Sequence, residues 1–330
     1  MKTERAIAAS GRVAAALAIT FALSAATAQT PQGDAQADRP RAYKINEHHI
    51  PEIKSGPWTG PRTPDGQPDI SGYWSNMIAN HNNFEDPQGG SPGPGGAPAA
   101  AATAKPRDQR APSRVLDPPD GLIPYQPWAR AAQQDFAAHF TNPRDGADIE
   151  PLARCAPGGV PKSFYWHGYE IRQYPNYILF IFGSGSRIIH LDDKPHLPEN
   201  IKLWNADSRG RWEGNTLVVD VTNNNSKALF GRYGNFASEN VHITERYIFS
   251  NDGKRYNYVA TFTDPTVYTR PWTALIPAHR YTVEDYKRGL RSGWDFDVIE
   301  DVHDGDEVII SWPERTCVEN NGGFAETVVQ

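Results

Sequence analysis

The chain is mainly β by sequence, and the simplest architecture for it is an antiparallel up-and-down barrel with a short N-terminal helix and long loops. Three observations predict this. From residue 164 onward, eight short runs rich in β-branched and aromatic residues follow one another, at 168–173, 177–183, 186–191, 216–222, 240–249, 255–263, 272–278 and 307–312. Turn sequences stand between them, among them Pro175-Asn176, Gly183-Ser184-Gly185 and Asn251-Asp252-Gly253. The run Tyr177-Ile178-Leu179-Phe180-Ile181-Phe182 is apolar on both faces, so it must be covered on both sides. Strands joined by hairpins in this number close most simply into a barrel, with a β-sandwich as the alternative. The chain shows no internal repeat, no dinucleotide-binding glycine pattern and no P-loop.

The first segment reads as an export signal. Lys2, Arg5 and Arg12 form a basic start, Val13 to Leu23 an apolar run, and Ala26-Thr27-Ala28 a cleavage site. This predicts a signal peptide at 1–28, a periplasmic or secreted protein and no membrane anchor after cleavage. Residues 29–62 read as a polar leader, where Glu47-His48-His49 is a solvated stretch before it is a metal site. A single barrel domain is expected over 63–330. Residues 87–113 are Pro, Gly and Ala with almost no large apolar groups, which predicts a disordered loop. Trp128 to Phe140 carries Trp128, Ala131, Ala132, Phe136 and Phe140 at helical spacing behind Pro127, which predicts one short helix.

Composition narrows the function. The formal charge of -6 excludes the basic footprint that nucleic acid or an anionic membrane needs. An aromatic content of 11% suits a core or pocket for flat apolar ligands. Cys155 and Cys317 are the only cysteines; in an exported chain the default is one disulfide between them, worth on the order of 5 kcal/mol in the chain-entropy model, with a metal pair or free thiols as alternatives.

The densest group of titratable side chains lies at 187–222, where His190, Asp192, Asp193, His196, Trp204, Asp207, Arg209, Arg211, Trp212 and Glu213 fall between two β-rich runs. His196 is a candidate acid/base residue, oriented by Asp193 or Asp207, against the plainer reading of a turn held by Asx hydrogen bonds. The spacing of His190 and His196 matches no standard zinc motif, so no metal is expected. Arg209 and Arg211 beside Asp207 and Glu213 suggest an ion-pair network. In 241–249, Glu245 shares strand parity with Val241, Ile243, Tyr247 and Phe249. A carboxylate on an apolar face is either a proton-transfer group or one half of a buried ion pair to an arginine on a neighbouring strand. His242 and Arg246 share the opposite face. Tyr256, Tyr258, Ala260 and Phe262 form a stripe that serves as core or as ligand platform. Arg270 beside Trp272 is able to clamp a carboxylate, or to pair with Asp264. Gly183-Ser184-Gly185-Ser186-Arg187 lacks the final glycine of a nucleophile elbow.

Gly72-Tyr73-Trp74 resembles the Gly-x-Trp of the first strand in lipocalin-type (calycin) barrels. More broadly, TPDGQPDISGYW at 63–74, DDKPHLPENIKLWNADSRGRWEGNTLVVDVTNNN at 192–225, SENVHITERY at 238–247 and DPTVYTRPWT at 264–273 resemble, in the same order, a large family of exported bacterial proteins. His196, Asp207, Arg211, Trp212, His242, Glu245, Arg246 and Arg270 all match its pattern, whereas Asn215 stands where Asp is usual and Val318 where the closing Cys-His-Glu motif has histidine. Members occur among soil bacteria that degrade aromatic compounds. A barrel of this type is also similar to the calycin-like phenolic acid decarboxylases, which use a carboxylate and an arginine–tyrosine pair without a cofactor; this is analogy at the level of fold.

These readings together lead to the expectation of a cofactor-independent lyase on a phenolic or other aromatic acid, working by decarboxylation or ring opening. Glu245 or His196 would move the proton, with Asp207 and His242 beside them. Arg270, Arg246 or Arg211 would hold a carboxylate, and Trp204, Tyr258 and Trp272 would line the pocket. A non-catalytic carrier of aromatic or lipid-like ligands is the alternative.

Overall fold

A computed structural model describes residue 53 and residues 56–75, 84–86, 113–140, 142–154, 156–162, 168–182, 185–231, 233–281, 299–302 and 308–311. The signal segment, Glu47-His48-His49, nearly all of the Pro/Gly loop, Cys155, Cys317 and the closing Cys-Val-Glu motif lie outside the described residues.

The strands are β1 (Gly72–Ser75), β2 (Val115–Asp117), β3 (Gly168–Tyr174), β4 (Tyr177–Phe182), β5 (Gly185–His190), β6 (Asp207–Glu213), β7 (Thr216–Thr222), β8 (His242–Phe249), β9 (Arg255–Thr263), β10 (Trp272–Arg280), β11 (Ile299–Val302) and β12 (Val308–Ser311). The sheet order β1-β3-β4-β5-β6-β7-β8-β9-β10 closes on itself through β1–β10, so nine strands form a calycin-like barrel. The second edge of β10 is shared: β2 pairs with its first part at Thr273 and Ala274, and β1 with its end at His279 and Arg280.

The hairpins form where the turn sequences place them, as β3–β4, β4–β5 and β8–β9. Two differences from the sequence expectation concern connectivity. Residues 207–213 form β6, a strand that is not among the eight runs read from the sequence. The run at 307–312 yields β12, which pairs with β11 in a separate two-stranded sheet and adds no stave to the barrel. The seam between β5 and β6 is the one parallel junction in the ring, through His190 and Arg209. A parallel neighbour needs a crossover connection, and residues 191–206 supply it. This crossover carries His196.

Burial along the strands alternates. On β8, Ile243, Glu245, Tyr247 and Phe249 are buried while His242, Thr244, Arg246 and Ile248 are not. On β9, Tyr256, Tyr258, Ala260 and Phe262 are buried. Rings fill the interior: Trp272 stacks on Phe262 with centroids 4.2 Å apart, and Tyr247 lies 5.1 Å from Tyr258 and 5.6 Å from Tyr256. At the closure, Trp74 is fully buried; its indole N–H donates to the Ile70 carbonyl at 2.9 Å, and the Arg280 guanidinium from the last barrel strand lies over its ring at 4.5 Å. That cation–π contact joins the first and last staves.

Among the described residues there is one α-helix, α1 (Pro127–His139), with proline in its first turn. Its buried stripe is Ala129, Gln133 and Ala137, and Trp128 is exposed, so the apolar face expected around Trp128, Ala131 and Ala132 is not the one that packs. Ala129 and Ala137, eight residues apart on either side of Gln133, let the helix approach residues 233–236. There Gln133 donates to the Tyr233 carbonyl at 2.8 Å, and Phe140 meets the Tyr233 ring edge-on. Residues 56–62, placed in the leader by sequence, pack on the barrel through the Thr59 and Gly60 N–H groups, which donate to the Asn251 carbonyl. No helix among the described residues is long and apolar enough to cross a membrane.

Candidate functional site

Two polar clusters stand out, one on each side of the barrel wall. The inner one is centred on Glu245, whose side chain is fully buried. Its carboxylate accepts from Arg187 Nη1 at 3.0 Å, Arg187 Nη2 at 2.6 Å and the Tyr258 hydroxyl at 2.8 Å. Arg187 also donates to Ser208 Oγ through Nε at 3.1 Å and to the Tyr247 hydroxyl through Nη1 at 3.2 Å. A buried charge is tolerable only when paired and hydrogen-bonded. Here the pair is bidentate and further groups complete it. Burial opposes the Arg187 charge, but the nearby Glu245 carboxylate outweighs it, so the guanidinium is held above its usual value. Burial, reinforced by Glu245, pushes the Tyr258 phenol well up, keeping it a neutral donor.

Of the two readings open for Glu245, the structure displays the ion pair. The arginine is not on a neighbouring strand, however. β5 and β8 are separated in the ring by β6 and β7, so the pair spans the barrel interior. A carboxylate, an arginine and two tyrosines are therefore together inside the barrel, and the arginine is Arg187, not Arg246 or Arg270.

The outer cluster is built from the crossover and the outward faces of β6, β7 and β8. Leu217, Val219 and Val221 point inward, which sets Asp220 outside. His242 and Arg246 face outward from β8 for the same reason. His196 Nδ1 lies 2.7 Å from Asp207 Oδ2, and its Nε2 lies 3.0 Å from Asp220 Oδ2. The other oxygen of Asp220 bonds to His242 Nε2. Asp220 thus joins two imidazoles, and His196 is held by a carboxylate at each ring nitrogen.

Asp207 is itself fixed. It accepts from the Leu197 N–H at 3.1 Å and from Arg209 Nε at 3.2 Å and Nη2 at 3.1 Å. Arg209 in turn reaches Asp192 at 3.3 Å. Burial raises the Asp207 carboxyl, but the Leu197 N–H, Arg209 and His196 outweigh it and hold it below the usual aspartate range. Asp220 is depressed in the same way, with His242 and His196 outweighing desolvation. Asp193, the other orienter considered for His196, is exposed with φ of 52°; the orienting carboxylate is Asp207.

The remaining sequence candidates divide. Arg246 and Arg211 lie on the outer face and share Glu213, at 3.0 Å and 2.7 Å. Arg270 pairs with Asp117 at 2.8 Å and not with Asp264, whose carboxylate caps the Ser238 and Thr266 N–H groups. Arg270 sits beside β10, away from both clusters. Tyr258 and Trp272 are fully buried among other rings, so they are core side chains and not the lining of an open pocket. Trp204 is half-buried in the crossover.

Asp220, Arg187, Ser208 and Tyr247 belong to the clusters without having been singled out by sequence. Parity carries a signal for two of them. Arg187 shares strand parity with Ile189 as Glu245 does with Ile243, and Asp220 falls opposite Val219 and Val221.

Among the described residues, Asp135, His139 and Asp148 bring three ligand-type atoms within 4.8 Å of one another. Arg144 already bonds both carboxylates, to Asp135 at 2.7 Å and Asp148 at 2.8 Å, supplying the positive charge a cation would bring. No family model, no curated protein and no solved structure matches this chain.

Proposed function

We propose that the protein is a cofactor-independent lyase acting on a phenolic or other aromatic acid, with His196 as the group that moves the proton. The observation that carries this reading is the position of His196 between Asp207 and Asp220. A carboxylate at each ring nitrogen fixes the ring, and the buried Asp207 behind Nδ1 sets its orientation. The proton ends on the product carbon, and His242, on the second oxygen of Asp220, would relay a replacement proton from solvent to His196. In decarboxylation, the proton adds to the carbon from which carbon dioxide leaves. The electron pair is supplied by the substrate's phenolate and returns to it when the C–C bond breaks.

Arg211 and Arg246 share one carboxylate, Glu213, so this trio carries one positive charge in excess. Arg246 and His242 are four residues apart on one strand face, about 13 Å of backbone. That span is bridged by an arginine side chain and a substrate with one aromatic ring. The substrate class itself rests on the family resemblance.

A second reading is favoured by the inner cluster: Glu245, with Arg187 and Tyr258, would be the proton-transfer group of an interior site. One experiment separates the two. The purified full chain is incubated with a panel of lignin-type aromatic acids, with and without chelator, and products are followed by mass spectrometry. We expect a product lighter by one carbon dioxide that persists with chelator. Turnover should fall by about 10²–10⁴-fold in His196→Asn and be retained per folded molecule in Glu245→Gln. Full turnover in His196→Asn overturns the assignment, and loss in Glu245→Gln alone favours the interior site. Binding without conversion identifies a carrier.

A further inference from the structure

We propose that the cleft at the β6–β7 turn is a binding site for a neutral saccharide. The cleft has a volume of about 510 Å³ and opens between residues 56–68 and the turn, with Trp58, Arg62, Asp65, Gln67, Trp212 and Asn215 supplying its side chains. This volume is in the range of small-ligand sites. The cleft stands at the opposite end of β6 and β7 from His196, because Glu213 pairs with Thr216 at the turn while Asp207 pairs with Thr222 at the far end.

The chemistry of the walls selects the ligand. Both indole N–H groups are engaged within the protein: Trp58 donates to the Pro61 carbonyl at 2.7 Å, and Trp212 to Gln67 Oε1 at 2.8 Å. The half-buried Trp212 therefore offers the cleft ring carbon, and the nearly buried Trp58 backs the wall behind it. Trp58 is held in place by Gly253, at φ of +67°, where a Cβ would come within 2.7 Å of the indole. Arg62 bonds the Gly66 carbonyl through Nη1 at 2.7 Å, which leaves Nε and Nη2 without a partner among the described residues. Asn215 uses only Nδ2, on Gly56 O at 2.7 Å and Asn251 Oδ1 at 3.1 Å, leaving its Oδ1 to accept. Hydrogen bonds from Thr63 and Gln67 lower the Asp65 carboxyl, keeping it ionised in the lining that also holds Arg62.

The cleft thus combines apolar ring surfaces with free donors, a free acceptor and balanced charge. An aromatic carboxylate would satisfy Arg62, but it would set its own lone pairs against Asp65 and Asn215 Oδ1. A hydroxyl both donates and accepts. A sugar ring has hydroxyls around its edge and a C–H face able to lie on an indole, so it meets every group at once. Asn215 also forms the wall: its amide donates to Gly56 O, which an aspartate at this position has no hydrogen to do.

The test is titration calorimetry and saturation-transfer NMR on the full chain with glucose, N-acetylglucosamine and cellobiose, using benzoate as the aromatic control. At least one saccharide should bind saturably with a millimolar Kd. Arg62→Leu and Trp212→Ala should each weaken it about tenfold or more, and His196→Asn should leave it unchanged. Because Trp212 packs on the core, circular dichroism accompanies its variant, and Arg62→Leu decides if Trp212→Ala unfolds. The proposal is overturned if none of the three saccharides saturates by about 50 mM, if benzoate binds more tightly than all of them, or if Arg62→Leu binds like the parent protein.

Discussion

Arg187 on β5 and Glu245 on β8 meet inside the barrel with Nη2 2.6 Å from Oε2, joining staves that share no backbone hydrogen bond. Both side chains are shielded from water, so neither charge has a substitute partner in solvent.

Glu245→Gln should therefore be strongly destabilising. It keeps the volume but leaves a buried guanidinium without its counter-charge, which costs about 3–5 kcal/mol. Urea denaturation of the variant beside the double variant Arg187→Met/Glu245→Leu checks this. The double variant should recover most of the loss, because no unpaired charge remains. A single variant as stable as the parent would show that the pair contributes nothing net.

Stability at acid pH should depend on Asp207. Its folded carboxyl, like that of Asp220, is held below the usual aspartate value of 3.8. A group depressed by folding stabilises the native state at pH above its unfolded value, and that contribution disappears as pH falls through the folded value. Asp207→Asn should lower Tm near neutral pH, with the gap to the parent protein closing below about pH 4. Thermal melts from pH 2 to pH 7 measure it; a gap independent of pH would mean that packing, not charge, is what the substitution removes.

Gly210→Ala should destabilise by about 1–3 kcal/mol through overpacking. A Cβ at Gly210 would lie 2.6 Å from Ile189 Cγ2 and 3.0 Å from Leu191 Cδ2, next to the parallel seam. Chemical denaturation gives the value, and an unchanged midpoint would show that β5 yields freely at this point.

Arg270→Ala should cost under about 1 kcal/mol, since its bond to Asp117 is an exposed ion pair. It should also leave turnover of any confirmed aromatic acid unchanged. A large loss of activity would return Arg270 to the site from which its position removes it.

The sequence by itself determined seven of the nine barrel strands and the direction of their side chains. Alternation of apolar and polar residues is a local property, and a strand turns successive side chains to opposite faces wherever it ends up. The inward aim of Glu245, the outward aim of His242 and Arg246, and the hairpin turns were legible for that reason. Charge density hid the strand at 207–213, because a strand with one face in solvent carries charges as readily as a loop does. Only the tertiary structure decided partners. Arg187 and Glu245 are distant in sequence and belong to staves that are not neighbours; barrel closure alone brings them face to face. Likewise, His196 reaches Asp207 and Asp220 because the chain crosses from β5 to a parallel β6, laying residues 191–206 over the outer wall. Local pattern records which way a side chain points, and what waits there depends on the path of the whole chain.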